Sequence, residues 1–279
     1  MDEKDFIIVE SGATKSDWRL VDGAGNTVKC FVRPGMNVST MRLEDVKGII
    51  SSAFSEEGLK AGGFYMYTAG VVTEGVREGI SSLVQAAGVA DVDVQDDLMG
   101  AARAVCGHSA GVAAILGTGS NACFYDGRTV ERKVYSGGFI LGDEGGGATL
   151  GKLFLSDYLK GLVPEELASA FGKEFDPSYQ GIVGSVYRSD SPSAYLGSLA
   201  PFLLRHIHIP YVKGLVEGNF RSFAVRMLKR YDVDRYPVGI VGGFAWACRD
   251  VLLPILEDEG IKVSRIIRAP IEGLCAYHA

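Results

Sequence analysis

Val9–Trp18 reads V-E-S-G-A-T-K-S-D-W, and the rest of the chain falls into order around it. The apolar run Phe6–Val9 is strand-like, and Gly12 and Thr14 turn the chain. Trp18–Val21 follows, then the hairpin signal Asp22-Gly23, then Val28–Val32. This predicts a meander of strands joined by tight turns. The same order returns in the second half. Val112–Leu116 runs into Gly117-Thr118-Gly119-Ser120-Asn121, Ala122–Tyr125 follows, and Asp126-Gly127 leads into Val130–Val134. The interval from Thr14 to Asp22-Gly23 equals that from Thr118 to Asp126-Gly127. The chain therefore reads as an α/β protein of two lobes built on one plan.

Helical spacing at Leu43–Phe54 and Val76–Ala87 alternates with strands at Phe64–Ala69 and Val92–Gln95, and a helix opens at Asp97. A glycine-rich stretch, Gly137–Lys152, precedes a mostly helical region, roughly Thr149–Tyr231, broken by prolines. Val238–Val241 is a strand ending in Gly242-Gly243. Phe244–Leu256 reads as a helix, Val263–Ile267 as a strand and Ile271–His278 as a closing helix. The lobe boundary is expected within Cys106–Gly111, giving residues 1–108 and 109–279. The second lobe carries the helical insertion, and the closing helix is a candidate to pack back on the first.

Hydrophobic residues make up 47% of the 279, so a sizeable core is available and wholesale disorder is excluded. A net charge of −6 without a basic run argues against a nucleic-acid partner. The five cysteines are widely spaced and form no C-x-x-C, which argues against disulfides or a structural zinc and for a reducing cytoplasm. The acidic start MDEKDF has no apolar leader core, and no stretch is long and apolar enough to suggest a membrane span.

Three glycine-bearing turns each follow an apolar strand: Gly12 to Lys15, Gly117 to Asn121, and Gly242-Gly243. Glycine lets the backbone approach a ligand, and successive N–H groups can cradle an anion. Thr14 and Thr118 add hydroxyls. Neither a P-loop nor a Rossmann fingerprint is present. Phosphoryl transfer needs Mg²⁺ held by one or two carboxylates, and a group to accept a proton. Glu10 ends a strand beside the first turn, where a water-mediated Mg²⁺ contact fits. Asp97 stands between strand VDVQ and a helix, where it is a candidate base or an N-cap; Asp96 competes for either role. Gly142-Asp143-Glu144-Gly145 reads as a loop that holds a polar ligand. Asn37 is a turn amide, and Ser120-Asn121 offers a hydroxyl and an amide to sugar hydroxyls. His206 and His208 lack a third metal ligand at suitable spacing.

Taken in order, these motifs resemble the BadF/BadG/BcrA/BcrD-type ATPase family of the sugar kinase–actin–Hsp70 superfamily, in its N-acetylglucosamine kinase-like branch. The marks are Val9–Trp18, P-G-M-N (Pro34–Asn37), Q-D-D-L-M-G (Gln95–Gly100), L-G-T-G-S-N (Leu116–Asn121), Leu141–Lys152, V-G-I-V-G-G (Val238–Gly243) and P-I-E-G-L (Pro270–Leu274). The resemblance spans essentially the whole chain. It implies two ribonuclease-H-like, actin-like ATPase lobes with a cleft between them. ATP would sit against Gly12, Thr14 and Lys15 of the first turn and Gly117, Thr118 and Gly119 of the second, its adenosine end near Gly242 and Gly243. Asp97 matches the catalytic base, because D-L-M-G corresponds to the family's D-x-x-G. Asn37, Ser120, Asn121 and Asp143 match sugar contacts. Relatives suggest a homodimer. The first turn departs from the family's pattern, with Glu10 where Asp is usual, and so does Val241-Gly242-Gly243, which replaces V-G-S. The iron–sulfur cysteines of the dehydratase activators and the Cys/His zinc cluster of the repressor-related sugar kinases are absent from the sequence.

The expected activity is ATP-dependent phosphorylation of an amino sugar, N-acetylglucosamine at its 6-hydroxyl, with Mg²⁺. An ATPase that drives a partner protein is one rival, marked by hydrolysis without sugar stimulation. A sugar-sensing homologue with weak catalysis is another, marked by sugar binding without product. The choice among N-acetylglucosamine, glucosamine and N-acetylmuramic acid is not written in the motifs.

Overall fold

The computed structural model describes residues 4–12, 14–70 and 72–279. Ala13 of the first turn and Met1–Glu3 of the acidic start lie outside the described residues. The chain forms two compact units. The first runs up to Ser109 and adds Gly127–Thr129 and Ala269–Ala279; the second comprises Ala110–Asp126 and Val130–Arg268.

In the first unit, β1 (Phe6–Ser11), β2 (Lys15–Val21) and β3 (Thr27–Pro34) form the meander. Helix α1 (Leu43–Glu57), β4 (Gly63–Thr68), α2 (Glu74–Ala86), β5 (Asp91–Asp96) and α3 (Asp97–Cys106) follow. The sheet order is β3-β2-β1-β4-β5. Strands β1 and β2, and β2 and β3, pair antiparallel, whereas β4 and β5 join parallel to β1. Strand β1 is central, so Ile7, Ile8 and Val9 are all buried, as a strand covered on both faces requires.

The second unit repeats this plan. Strands β6 (Gly111–Leu116), β7 (Ser120–Tyr125) and β8 (Val130–Lys133) are its meander, and β9 (Val238–Val241) and β10 (Val263–Ile267) its parallel pair. Read from its meander edge the order is β8-β7-β6-β9-β10, the counterpart of the first sheet strand for strand. Between β8 and β9 lie α4 (Gly138–Leu141), α5 (Gly147–Tyr158), α6 (Glu165–Glu174), α7 (Tyr179–Tyr187), α8 (Pro192–Ser198), α9 (Ala200–Arg205) and α10 (Pro210–Arg226). The expected helix Phe244–Leu256 is two helices, α11 (Gly243–Ala247) and α12 (Arg249–Asp258), because Cys248 at φ −102° and ψ 9° leaves the helical region. No helix of the described residues is long and apolar enough to cross a membrane.

Helix α13 (Ile271–His278) belongs to the first unit. Its His278 ring stacks on Tyr65, with centroids 3.8 Å apart, and its Nε2 lies 2.7 Å from the Tyr67 hydroxyl. Arg103 on α3 donates to that hydroxyl and to Asp93, each at 2.7 Å, so α13, α3 and the sheet share one polar seam. On the opposite face, Trp18 is fully buried, stacked on Phe31 at 5.4 Å, with its indole N–H on Ser16 Oγ at 2.9 Å. Trp18→Ala is expected to lower unfolding free energy by about 3–5 kcal/mol, from lost burial and the cavity left behind. Urea denaturation measures this, and a loss well under about 1 kcal/mol would contradict the packing described.

Candidate functional site

The first group of polar residues gathers at the carboxyl ends of β1, β4 and β5, where Ser11, Thr68 and Asp96 lie in one row across the sheet. Carboxyl ends of parallel strands are where open α/β sheets bind ligands. Met36 is pinned there from both sides. Its N–H donates to Ser11 Oγ at 2.7 Å, its carbonyl accepts from Thr68 Oγ1, and its side chain is buried. This holds the next residue, Asn37, at the strand ends. The Asn37 Oδ1 accepts from the Ser39 N–H at 3.0 Å, which orients the amide. Ser11 and Thr68 were missed by the sequence reading, since a lone hydroxyl at a strand end carries no signal of its own.

Asp96 and Asp97 separate clearly. Asp96 is the N-cap of α3, its Oδ1 accepting from the Met99 N–H at 2.8 Å. Of the two candidates for the cap, Asp96 takes it. Asp97 is the first residue of the helix and half-buried, where the helix N-terminus favours its ionised form.

Glu10 pairs across the sheet with Asp17, and Lys15 reaches Asp17 at 2.8 Å. Burial raises Glu10 to about 7; Asp17 adds repulsion, Lys15 opposes it, and Asp97 contributes a smaller rise. Carboxylate oxygens are the hard donors that Mg²⁺ takes, and a divalent cation would relieve their repulsion. Among the described residues no group of three or more His, Cys, Asp or Glu side chains is arranged to hold a metal. The donor set thus fits an ion held through one or two carboxylates and waters, not a closed protein cage. The His206 ring packs on Phe202, and its Nδ1 lies 2.9 Å from the Phe202 carbonyl oxygen.

The expected anion cradles are partly closed by their own turns. The Gly12 N–H bonds the Lys15 carbonyl at 3.0 Å, and the Gly117 N–H bonds the Gly119 carbonyl at 3.0 Å. Thr14 and Lys15 are exposed beyond the first of these bonds. In the second turn, the carbonyls of Gly117 and Thr118 accept from the N–H groups of Gly147 and Ala148, at 2.9 and 2.8 Å. Two of the orphan donors of the α5 N-terminus are satisfied in this way, and the turn is fixed to the helix.

A cavity of about 370 Å³ opens beside that junction, with Gly117, Thr118, Gly147, Ala200, Leu204 and Phe244 among its walls. Gly243 also lines it; Gly242 does not. Gly242 sits behind the wall at φ 143°, its N–H on the Ile267 carbonyl at 2.9 Å and the space for a Cβ taken by the Leu116 carbonyl. Only glycine tolerates that backbone. Leu204 and Phe244 carried no sequence signal, because each reads as an ordinary core residue.

Asp143 stands at the edge of the second turn. A Cβ on Gly119 would lie 2.6 Å from its Oδ2, so glycine there admits the carboxylate. Burial raises the Asp143 carboxyl above its ordinary range, while hydrogen bonds from the Ser120 N–H and the Ser136 hydroxyl pull it back. Ser120 is 6% exposed, and its Oγ has no hydrogen-bond partner among the described residues. Asn121 is half-buried, and its Oδ1 accepts from the Ala122 N–H at 3.1 Å. Glu144 pairs with Arg226 at 3.2 Å.

Two five-stranded sheets of one strand order, each with helices, define the actin-like ATPase fold of the sugar kinases. No protein-family model matches the chain, and no curated protein does. Among solved structures it is similar to a candidate N-acetylglucosamine kinase of Porphyromonas gingivalis, at 36% identity over 98% of each chain and a TM-score of 0.90. By that likeness the chain belongs to the N-acetylglucosamine kinase-like family. A second candidate N-acetylglucosamine kinase, from Chromobacterium violaceum, matches over 99% of each chain at 20% identity and a TM-score of 0.79. A ROK-family glucokinase of Streptomyces griseus, solved with glucose and AMPPNP, matches over 98% of each chain at 15% identity and a TM-score of 0.58. These two share the fold.

Native Glu10 holds its proton up to about 7, whereas the unfolded chain releases it near 4.5. The native state binds more protons between those values, so this carboxyl's contribution to stability is full below 4.5 and lost as pH rises through 7. In metal-free buffer, Glu10→Gln is expected to gain stability over the wild type as pH rises through this window, on the order of 2 kcal/mol above pH 7. Urea unfolding at a series of pH values measures it, and parallel profiles for the two proteins would refute the environment assigned to Glu10.

Proposed function

We propose that this chain is an ATP-dependent sugar kinase that phosphorylates N-acetylglucosamine at its 6-hydroxyl, within the BadF/BadG-type branch of its superfamily. The observation that carries this reading is the division of labour between Asp96 and Asp97. One carboxylate is committed to the helix cap, and the other stands at the carboxyl end of the parallel strands. The names of the Porphyromonas and Chromobacterium proteins support the substrate class, and the glucokinase solved with glucose and AMPPNP supports ATP as donor.

In this mechanism Asp97 accepts the proton of the sugar hydroxyl as that oxygen attacks the γ-phosphorus of ATP, and the bond from that phosphorus to the β-phosphate oxygen breaks to release ADP. Its place in the first turn of α3 favours the charged carboxylate that a base needs. Asn37 presents its amide nitrogen to a sugar hydroxyl, since its oxygen is engaged by Ser39. Ser120 and Asp143 supply a hydroxyl and a carboxylate to the same sugar, and the unpartnered Ser120 Oγ gains a bond when the sugar binds. By the resemblance, Asn121 is a further sugar contact. The cavity beside Gly117, Thr118 and Gly243 takes the adenosine, with apolar walls for the base. By the resemblance, Thr14 and Lys15 of the first unit and Thr118 and Gly119 of the second are the phosphate contacts, with Gly12, Gly117 and Gly242 holding the backbone of their turns. Mg²⁺, held through water by Glu10 with Asp17 nearby, would offset the phosphate charge when bound. Most of the rate then comes from positioning and charge stabilisation. Residues 1–108 and 109–279 are the two functional lobes of this reading, with the closing helix α13 of the second segment packed on the first.

Asp97→Asn is expected to lower sugar phosphorylation by a factor of about 10²–10⁴ and to leave nucleotide binding intact. Coupled ADP release with N-acetylglucosamine, against a control without sugar, measures the first, and calorimetry with an ATP analogue the second. Near-normal turnover in the variant would overturn the role given to Asp97. ADP release that ignores sugar would overturn the kinase reading.

A further inference from the structure

Asn219 lies on α10 among apolar neighbours, with 2% of its surface exposed. A buried amide is costly unless both its ends are used. Here both serve one target. Its Oδ1 accepts from the Gly145 N–H at 2.8 Å, and its Nδ2 donates to the Gly146 carbonyl at 3.1 Å. From the other side, Thr149 Oγ1 donates to the Asp143 carbonyl at 2.8 Å. The backbone so clamped is in an uncommon form. Asp143 has φ 56°, the one positive value among described non-glycine residues, and Gly145 follows at 83°. Such a conformation persists only where its surroundings over-determine it, and it clusters at ligand clamps. The next residue outward is buried too: the Ser120 N–H holds the Asp143 carboxylate, and the Ser120 hydroxyl beside it awaits a partner.

We propose that Asn219 is a positioning residue for sugar recognition: by fixing Gly145 and Gly146 it sets, with Thr149, the direction in which Asp143 presents its carboxylate. This rests on the sugar-kinase reading above. A residue that merely fills the core would act on stability alone, because α10 could pack an apolar side chain at that place. A positioning residue acts on sugar affinity beyond its effect on stability.

The test compares Asn219→Ala with Val216→Ala, a buried apolar position one turn earlier on α10. N-acetylglucosamine binding and ATP-analogue binding are measured by calorimetry, and stability by thermal unfolding. Asn219→Ala is expected to weaken sugar binding roughly 10- to 100-fold, the cost of displacing a binding group by about 1 Å, with nucleotide affinity unchanged. Val216→Ala is expected to lose stability and keep its sugar affinity. Should Asn219→Ala fail to fold, Asn219→Asp decides. It retains the acceptor for Gly145 and loses the donor for Gly146, and its carboxyl regains that donor when protonated. Its sugar affinity, relative to wild type at the same pH, is therefore expected to recover as pH falls. Sugar affinity equal to wild type in both Asn219 variants overturns the inference and leaves the kinase reading standing. Sugar and nucleotide affinity falling by one factor also overturns it, as collapse of the whole loop. Wild-type protein that binds no hexosamine overturns the kinase reading, and this inference with it.

Discussion

A buried strand must give its last N–H and C=O groups partners where the sheet ends, since water does not reach them. Both units meet this demand at their central strands, and both use the partner that functional placement needs. In the first, the Ser11 carbonyl that ends β1 accepts from the Ala69 N–H at 2.8 Å, and the Ser11 and Thr68 hydroxyls hold the backbone of Met36 beside it. In the second, the turn after β6 lends its carbonyls to the N-terminus of α5. Satisfying the backbone thus holds Asn37 at one sheet end and Thr118 at the edge of a cavity at the other.

Charge follows from the same geometry. Strand β1 continues past its apolar run because its hydrogen-bonded register with β2 and β4 continues, carrying Glu10 into a half-buried row beside Asp17. A carboxyl so placed keeps its proton to about 7. Asp143 is pressed the same way by burial but is answered by donors from Ser120 and Ser136. One acid is left under repulsion that a cation would relieve. The other is held by neutral donors that fix its direction.

Much of this was legible in the chain. The repeated meander with its Asp-Gly turns announced two sheets of one order, and β9 and β10 were readable as apolar runs of the observed bounds. The glycine-marked turns fall where they were read, directly after β1, β6 and β9. Other features had no local trace. Asp96 and Asp97 are chemically alike and adjacent, and only the φ/ψ of the helix start tells cap from first helical residue. The cavity wall at Ala200, Leu204 and Phe244 comes from helices far apart in sequence, and each residue alone looks like core.

Periodicity and turn chemistry act between near neighbours, so the sequence by itself determined the elements, their repeat and the glycine-marked turns. Tertiary structure alone decided which polar groups are buried together. Asn219 reaches Gly145 across 74 positions, and Ser11 reaches Met36 across 25. Partners so distant are chosen by the packing of whole elements, and only that packing determines which hydrogen bonds are satisfied internally and that, among the described residues, the Ser120 hydroxyl has no partner.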